Sequence, residues 1–263
     1  MPRLQNKAIV IVGGTTGLGL SAARACVEQG AKVVVVGRNA DSGKAAALIL
    51  GNDACCVEGD AIDPATARVA IDLCLERFGR FDALYHVAGG SGRKMGDGPL
   101  HQITDEGWSY TFALNLTSAF NSSRAACNTF LDRKTSGSIL LMGSVLGFSP
   151  SPKYFVTHAY AATKSAVVGF VKSCAAYYAA NDIRFNVIAP ALVETPMAKR
   201  AAEDQAILKF IHTKQPLDGG RIGHASDLDG AVLWLLSDES KFVTGQTIVV
   251  DGGWSVSEGQ LSG

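Results

Sequence analysis

The sequence predicts an α/β protein with a doubly wound, seven-stranded parallel sheet and helices on both faces. Short runs rich in Val, Ile and Leu alternate with helical patterns along the chain, as expected for strands buried on both faces. A glycine-rich turn joins the first such run to the first helical pattern. No internal repeat, low-complexity tract or break in composition divides the sequence, so we expect one domain over residues 1–263.

The composition favours a compact, well-buried protein. Hydrophobic residues make up 47% of the 263 residues and charged residues 18%, which argues against disorder. Lys plus Arg and Asp plus Glu number 24 each, so the overall charge does not indicate binding to nucleic acid or to an anionic membrane surface.

The apolar stretches and the cysteines of the sequence bear on where the protein is located. The apolar run before Gly13 is too short for a secretory signal, and no apolar stretch approaches the roughly 18 residues that a membrane-spanning helix needs. The six cysteines show no Cys-x-x-Cys spacing, so we interpret them as reduced thiols that pack as small hydrophobic side chains. We expect a cytoplasmic protein without a metal site.

The first strand, turn and helix form a candidate phosphate cradle. A buried strand over residues 7–12 leads into the glycine-rich turn, and a helix over residues 17–29 is closed by Gly30. Such a turn brings backbone N–H groups and a helix N-terminus to a pyrophosphate, although an ordinary tight strand–helix loop has a similar pattern. The residues assigned to the cradle are Gly13, Thr15, Thr16, Gly17, Leu18 and Gly19.

The end of the second strand bears on the choice of dinucleotide. Residues 31–36 form a Val-rich strand that ends at Gly37 and Arg38. A fold selective for NAD carries an acidic residue near this point to bind the ribose 2′-hydroxyl. Gly37 leaves room there instead, and Arg38 can hold a 2′-phosphate. The sequence therefore favours NADP over NAD, unless Arg38 is simply solvated.

Three further strands and their loops complete the first half of the chain. Asp60 and Ala61 follow a third strand; Asp60 either accepts a hydrogen bond from an adenine amino group or caps a turn. Ala88 and Gly89 begin a second glycine-rich turn. The predicted elements are a helix over residues 41–50, a strand over 54–57, a helix from Pro64 to residue 78, a strand over 81–87, a loop over 91–99, a helix over 104–131 and a strand over 138–142.

Several polar residues in this region have two interpretations. Asn115 lies inside a predicted helix, where its amide competes with the backbone, so it is either solvent-facing or functional. Arg93 and Lys94 lie in the loop over residues 91–99. They are more simply interpreted as solvated loop charges than as ligands of an anionic group.

The candidate catalytic pair is Tyr160 and Lys164. A spacing of four places both side chains on one face of a helix that reaches residue 180. A phenol has a pKa near 10 and is a poor acid at neutral pH, and a neighbouring ammonium makes it a more usable proton donor or acceptor. Two such side chains can also simply cover apolar surface.

The last third of the chain supplies a sixth and a seventh strand and two helical segments. The predicted elements are a strand over residues 183–188, a charged amphipathic segment over 197–215, a helix over 225–236 and a strand over 246–250.

Taken in order, these motifs resemble the short-chain dehydrogenase/reductase family over residues 7–254. The resemblance rests on the order and spacing of Gly13, Gly17 and Gly19, then Asp60, Ala88-Gly89, Asn115, Ser144, Tyr160-x-x-x-Lys164, Pro190 with Thr195, and the segment 243–253. It implies a Rossmann fold and an oxidoreductase that moves hydride between a nicotinamide cofactor and a small carbonyl compound or secondary alcohol.

The resemblance also implies roles for single residues. Tyr160 would be the general acid or base, Lys164 would lower the pKa of Tyr160 and bind the nicotinamide ribose, and Ser144 would place the substrate carbonyl. Asn115 would hold a water that links Lys164 to solvent. The remaining contacts would come from Ala88 and Gly89 on one side of the nicotinamide, and from Ile188, Pro190, Val193 and Thr195 on the other.

Two partners and two alternatives follow. We expect NADP as the preferred cofactor with NAD possible. The family resemblance implies a homotetramer or homodimer, and the last strand and Trp254 would otherwise leave a sheet edge and an aromatic side chain exposed. The alternatives are an NAD-dependent alcohol dehydrogenase of the same fold and a catalytically silent dinucleotide sensor.

Four positions depart from the family pattern. Val12 replaces a common Thr, His86-Val87 replaces Asn-Asn, and Ala191 replaces Gly. The interval from Ser144 to Tyr160 is a few residues longer than usual. We expect aromatic and aliphatic side chains of this region and of the 197–215 segment to wall the substrate site: Phe148, Tyr154, Phe155, Leu192, Met197 and Phe210.

Overall fold

The structure is a computed structural model that describes residues 2–259. Within these residues, seven parallel strands form one sheet in the order β3-β2-β1-β4-β5-β6-β7, which confirms the predicted fold class. The strands are β1 (Ala8–Val12), β2 (Lys32–Gly37), β3 (Ala54–Glu58), β4 (Ala83–His86), β5 (Gly137–Met142), β6 (Ile183–Pro190) and β7 (Thr247–Val250).

The helices cover both faces of the sheet. They are α1 (Gly17–Glu28), α2 (Ala40–Leu50), α3 (Thr66–Phe78), α4 (Asp105–Phe112), α5 (Ser118–Arg133), α6 (His158–Tyr178), α7 (Lys199–Glu203), α8 (Gln205–Lys214) and α9 (Asp229–Leu236). Alternate residues of one strand enter different cores: Ile9 packs on the α1 and α9 side, whereas Val10 packs on the α3, α5 and α6 side. The period-two alternation of a strand produces this division.

Several predicted helices differ in their bounds, among them the helix over 225–236, whose first residues form a 3₁₀ turn, Ala225–Leu228, before α9. The helix predicted from Pro64 begins at Thr66, after a turn in which the Asp63 carboxylate accepts a hydrogen bond from Ala65 N at 2.8 Å. The segment over 197–215 is divided at Asp204, whose carboxylate caps α8. The helix over 104–131 contains a π-helical turn, Ala113–Thr117, between α4 and α5.

A third apolar cluster lies beyond the sheet and contains Trp254, Ile207 and Ile211. Trp254 is only 1% exposed, and its indole N–H donates to Ser149 O at 3.2 Å. The expectation of an exposed Trp254 was therefore wrong, because α8 and the 146–157 loop fold over it. Among residues 2–259, the edge strand β7 pairs only with β6 and has no strand on its other side.

The strand order reverses between β1 and β4, which are neighbours although two strands separate them in sequence. In open α/β sheets, ligands bind at the carboxyl ends of the strands beside such a switch point. This topology fixes where a site is expected.

Candidate active site

A cavity of about 500 Å³ lies at the carboxyl ends of the strands. It brings together most of the residues predicted from the sequence, although they are distant along the chain. The predicted residues on its wall are Gly13, Thr15, Thr16, Gly17, Leu18, Arg38, Asp60, Ala61, Ala88, Gly89, Ser144, Tyr160, Lys164, Pro190, Val193 and Thr195.

The glycine-rich turn fits a dinucleotide for steric reasons. Gly13 has φ +88°, and a Cβ atom there would lie 2.7 Å from Ala88 N. A Cβ at Gly19 would lie 2.1 Å from Gly13 O, so Gly19 permits close packing behind the turn but does not itself line the cavity. Thr16, the N-cap of α1, makes no side-chain capping hydrogen bond. The first N–H groups of α1 therefore remain available to an anion.

At the adenosine side, Arg38 and Asp60 lie together, with the guanidinium 3.9 Å from a carboxylate oxygen. The other oxygen of Asp60 accepts a hydrogen bond from Ile62 N at 3.0 Å, so Asp60 caps a turn as one interpretation predicted. The expected room at Gly37 is absent, because a Cβ there would lie 2.2 Å from Thr15 Oγ1. Thr15 therefore occupies the space that a side chain at position 37 would need.

Tyr160 is the third residue of α6, and Ser144 follows β5. The Lys164 side chain lies one turn beyond Tyr160, with its Nζ 5.5 Å from the Tyr160 ring centroid. Lys164 is 2% exposed and donates to Met142 O at 2.8 Å. The helix and the end of β5 therefore hold three proton-bearing groups around one part of the cavity.

Burial dominates the electrostatics of this group. It raises the pKa of Tyr160, while a hydrogen bond with the Ser144 hydroxyl lowers that pKa. Burial also lowers the pKa of Lys164 to about 8. The Lys164 ammonium is itself desolvated and donates to the Met142 carbonyl, and its expected lowering of the Tyr160 pKa stays a prediction.

Asn115 lies in the π-helical turn and is 1% exposed. Its Oδ1 accepts from Gly90 N at 3.0 Å, and its Nδ2 donates to Gly90 O and Thr111 O, both at 2.9 Å. The side chain does not line the cavity but holds the second glycine-rich turn in place. Its water-holding role stays a prediction.

Asp97 is a site residue that sequence analysis missed. It is 4% exposed, and its two carboxylate oxygens accept from Ala159 N and Tyr160 N, each at 3.0 Å. The carboxylate thus caps the first turn of α6, where negative charge is favourable. No sequence pattern indicated this contact, because 63 residues separate Asp97 from Tyr160.

The predicted wall residues are only partly confirmed. Phe155, Leu192 and Met197 line the cavity, together with Leu146 and Trp254. Tyr154 and Phe210 instead pack on each other, with ring centroids 5.0 Å apart. Two other expected contacts do not reach the cavity: Phe148 is 46% exposed on the loop, and Ile188 is fully buried in the sheet.

His86, one of the departures from the family pattern, faces away from the cavity. Its Nδ1 lies 3.0 Å from Ser122 Oγ, and its Nε2 lies 3.2 Å from Ser118 Oγ. Burial and the nearby Lys164 charge lower the pKa of His86 to about 3, so the imidazole is neutral. Val87 takes the neighbouring place on the cavity wall.

Arg93 and Lys94 are exposed, as their interpretation as solvated loop charges predicted. Both line the cavity, as does Arg200 of α7, which sequence analysis did not single out. These three cationic side chains border the cavity in addition to Arg38 and Lys164.

The family model described as enoyl-(acyl carrier protein) reductase matches residues 12–255. The chain belongs to the short-chain dehydrogenase/reductase family. It is therefore an oxidoreductase that acts on alcohol or carbonyl groups with a nicotinamide dinucleotide.

Similar proteins include named dehydrogenases, and this chain covers four fifths or more of the length of each. An NADP-dependent (R)-specific alcohol dehydrogenase of Lentilactobacillus kefiri is 36% identical, over 96% of this chain and 98% of the relative. A 2-keto-3-deoxy-L-fuconate dehydrogenase of Xanthomonas campestris pv. campestris is 33% identical, over 96% of this chain and 81% of the relative. A short-chain type dehydrogenase/reductase from Mycobacterium ulcerans superposes with a TM-score of 0.88 at 29% identity, covering 97% of this chain and 91% of that structure.

Residues 2–259 contain neither a candidate membrane-spanning helix nor a candidate metal cluster. This part of the chain has no helix that is long and apolar enough to cross a membrane. It also has no cluster of three or more His, Cys, Asp or Glu side chains placed to hold a metal ion.

Proposed function

We propose that this short-chain dehydrogenase/reductase interconverts a small carbonyl compound and its secondary alcohol with NADP(H) as the preferred cofactor. The observation that carries the proposal is the meeting of Ser144, Tyr160 and Lys164 on the wall of a cavity that also contains the glycine-rich turn. Bound NADP(H) supplies or accepts the hydride, and the protein contributes orientation and a proton.

The proton step falls to Tyr160. In carbonyl reduction its phenol donates to the substrate oxygen, and in alcohol oxidation its phenolate accepts a proton. Ser144, whose hydroxyl already lowers the pKa of Tyr160, is placed to bind the same substrate oxygen. Lys164, with a pKa of about 8, remains mostly charged at pH 7 and favours the phenolate.

Turnover tests this proposal directly. With NADPH and a panel of ketones and aldehydes, we expect wild-type protein to oxidise the cofactor, as followed by the loss of its absorbance. The Tyr160→Phe variant should keep cofactor binding and lose about 10²–10⁴-fold in kcat, the usual contribution of a positioned general acid. Tyr177→Phe is the matched control, because Tyr177 is 75% exposed on the same helix. Wild-type turnover by Tyr160→Phe would remove this residue from the mechanism.

The proposed preference for NADP(H) rests on Arg38. This residue lines the cavity directly after β2, and no acidic residue stands at that position. A charge-assisted contact to a 2′-phosphate contributes about 1.5–3 kcal/mol, which corresponds to roughly ten- to a hundred-fold in affinity. We therefore expect Arg38→Leu to weaken NADPH binding by about tenfold, since the side chain is 60% exposed, and to leave NADH binding unchanged.

Titration of both reduced cofactors by fluorescence measures this effect, with Arg133→Leu, a change at an exposed position, as control. Equal binding of NADPH and NADH by the wild-type protein would instead favour the NAD-dependent alternative. Reversal of the preference by Gly37→Asp needs a smaller residue at position 15 as well, because Thr15 occupies the required space.

The names of the relatives support the choice of cofactor more than any single substrate. The relative from Lentilactobacillus kefiri is named as NADP-dependent, whereas the names of the two relatives differ in substrate.

The proposal also extends to assembly and location. We also propose a homotetramer, on the basis of the open edge of β7, and a cytoplasmic location, which the six free cysteines support.

A further inference from the structure

Three cationic side chains of the cavity wall come from segments that do not form the dinucleotide cradle. Arg93 and Lys94 come from the loop after β4, and Arg200 comes from α7. The cradle itself is formed by the turn after β1, with Arg38 after β2. Arg93 and Arg200 therefore belong to segments other than those that form the predicted pyrophosphate and adenosine contacts.

The loop that carries Arg93 is fixed to the helix that carries Tyr160. Asp97, four residues after Arg93, accepts hydrogen bonds from Ala159 N and Tyr160 N at 3.0 Å. The next residue of the loop, Gly98, accepts from His158 N at 3.3 Å. The position of Arg93 relative to Tyr160 is thus set by three contacts to the first turn of one helix.

The charge on these side chains is not neutralised by the protein. Within residues 2–259, neither Arg93 nor Arg200 forms an ion pair. Both carboxylate oxygens of Asp97 are engaged by backbone N–H groups, and Arg200 donates only to Tyr154 O at 3.5 Å. Burial and the neighbouring Arg200 charge lower the pKa of Arg93, which Asp97 only partly offsets.

Two guanidinium groups on the wall of one cavity, neither in an ion pair with an acid of the described residues, favour the binding of an anion. Guanidinium binds carboxylate and phosphate in a planar, two-bonded geometry. The rest of the wall beyond Tyr160 is apolar, with Phe155, Leu192 and Met197 in it, and it suits a hydrocarbon or aromatic skeleton.

We propose that the substrate carries an anionic group, a carboxylate or a phosphate, which Arg93 and Arg200 bind while its carbonyl or alcohol carbon faces Tyr160. This inference rests on the proposed function and names the substrate class of the same site. Lys94, an exposed residue of the same wall, adds positive charge that attracts the anion.

A binding experiment tests the anion site without turnover. Protein saturated with NADP⁺ is titrated calorimetrically with benzoate, phenyl phosphate and the neutral benzamide. We expect at least one of the two anions to bind tenfold or more tightly than benzamide, and that preference to fall below threefold in Arg93→Gln and Arg200→Gln. The stronger of the two anions identifies the group as carboxylate or phosphate.

Controls separate this site from the cofactor contacts. Arg133→Gln removes one exposed arginine from the end of α5 and should leave the preference unchanged. The NADP⁺ dissociation constant of Arg93→Gln and Arg200→Gln should stay within threefold of wild type. The inference is overturned if neither anion binds more tightly than benzamide, or if both variants keep the preference of wild type. It is also overturned if Arg93→Gln and Arg200→Gln lose as much affinity for NADP⁺ as for the anion.

Turnover then distinguishes the two proposals. With NADPH, we expect kcat/KM for 4-acetylbenzoate or 4-acetylphenyl phosphate to exceed kcat/KM for 4-acetylbenzamide. In Arg93→Gln, kcat/KM for the anionic substrate should fall about tenfold because its KM rises. Turnover of the amide without preference for either anion overturns the substrate class and leaves the proposed function intact. Absence of turnover on the whole carbonyl panel, with anion binding intact, overturns the proposed function alone.

Discussion

At the scale of single residues, burial sets the proton chemistry of the site more strongly than neighbouring charge does. Tyr160 has a raised pKa and Lys164 a lowered one, both chiefly through desolvation. Desolvation disfavours the charged form of each group. The site therefore holds Tyr160 as a neutral phenol at pH 7, ready to donate its proton in the reductive direction.

His86 shows the same effect at a position that contacts no substrate. Ser118 Oγ donates its proton to Leu114 O and can only accept from His86 Nε2, so the imidazole carries its proton on Nε2 and accepts from Ser122 at Nδ1. The residue joins β4 to α5 as a neutral group. It replaces an amide of the family pattern without facing the cavity.

We predict that His86 makes the protein sensitive to acid. The folded-state pKa is about 3 and the reference value 6.5, so the unfolded chain gains a proton below pH 6.5 while the native state does not. Stability present above pH 6.5 is then lost as the pH falls toward 3, by about 2.5 kcal/mol between pH 7 and pH 4.5. Denaturant unfolding at pH 7 and pH 4.5 measures this loss. Between these two pH values, the free energy of unfolding of His86→Asn should fall by less than that of wild type, and the difference should equal the contribution of His86.

The exposed His101 supplies the control for this prediction, since His101→Asn should reproduce the wild-type pH dependence. Parallel stability curves for wild type and His86→Asn would show that His86 takes up a proton in the folded protein.

At the scale of elements, α6 positions the catalytic group through its first turn. Thr157, its N-cap residue, makes no side-chain capping hydrogen bond, and the Asp97 carboxylate from a distant loop takes over that function. One acidic side chain therefore fixes both the start of the helix and the loop that carries Arg93.

We predict that Asp97→Ala lowers the free energy of unfolding by about 1–2 kcal/mol, the usual contribution of a capping side chain, and lowers kcat as well because Tyr160 shifts. Asp97→Asn keeps one acceptor oxygen and should recover part of both losses. Denaturant unfolding and NADPH oxidation measure the two effects. The comparison variant is Asp132→Ala, since Asp132 is exposed near the end of α5. A kcat equal to wild type in Asp97→Ala would show that the cap does not position Tyr160.

At the scale of the whole molecule, the sheet ends in an open strand. β7 pairs with β6 on one side only, Val249 is 39% exposed, and Phe242 near the start of this strand is fully exposed. An uncovered apolar edge is a surface for association between copies. The burial of Trp254 removes one of the reasons first given for a tetramer and leaves the edge strand and the family resemblance.

We predict that the wild-type protein sediments as a tetramer at micromolar concentration. Val249→Lys should weaken the association at least tenfold and yield smaller species, because it places a charge on the edge strand. Val69→Lys, at a position 54% exposed on α3, serves as the matched control. A monomeric wild-type protein would contradict the proposed assembly.

The sequence by itself determined the sheet, the glycine-rich turn and the Tyr160–Lys164 pair. These features are local: a continuous apolar run predicts a buried strand, a glycine pattern predicts a tight turn, and a spacing of four predicts a shared helix face. The strand bounds agree with the structure to within two residues, as for β1 and β4. The order of motifs along the chain was sufficient to indicate the family.

Only the tertiary structure decided the contacts between distant segments. It placed Asp97 on the first turn of α6, Thr15 against Gly37, and Trp254 beneath α8. It also brought Arg93 and Arg200 to one cavity wall. No local pattern encodes these contacts, because each joins a pair of side chains whose separation in space is set by how the whole sheet and its loops fold.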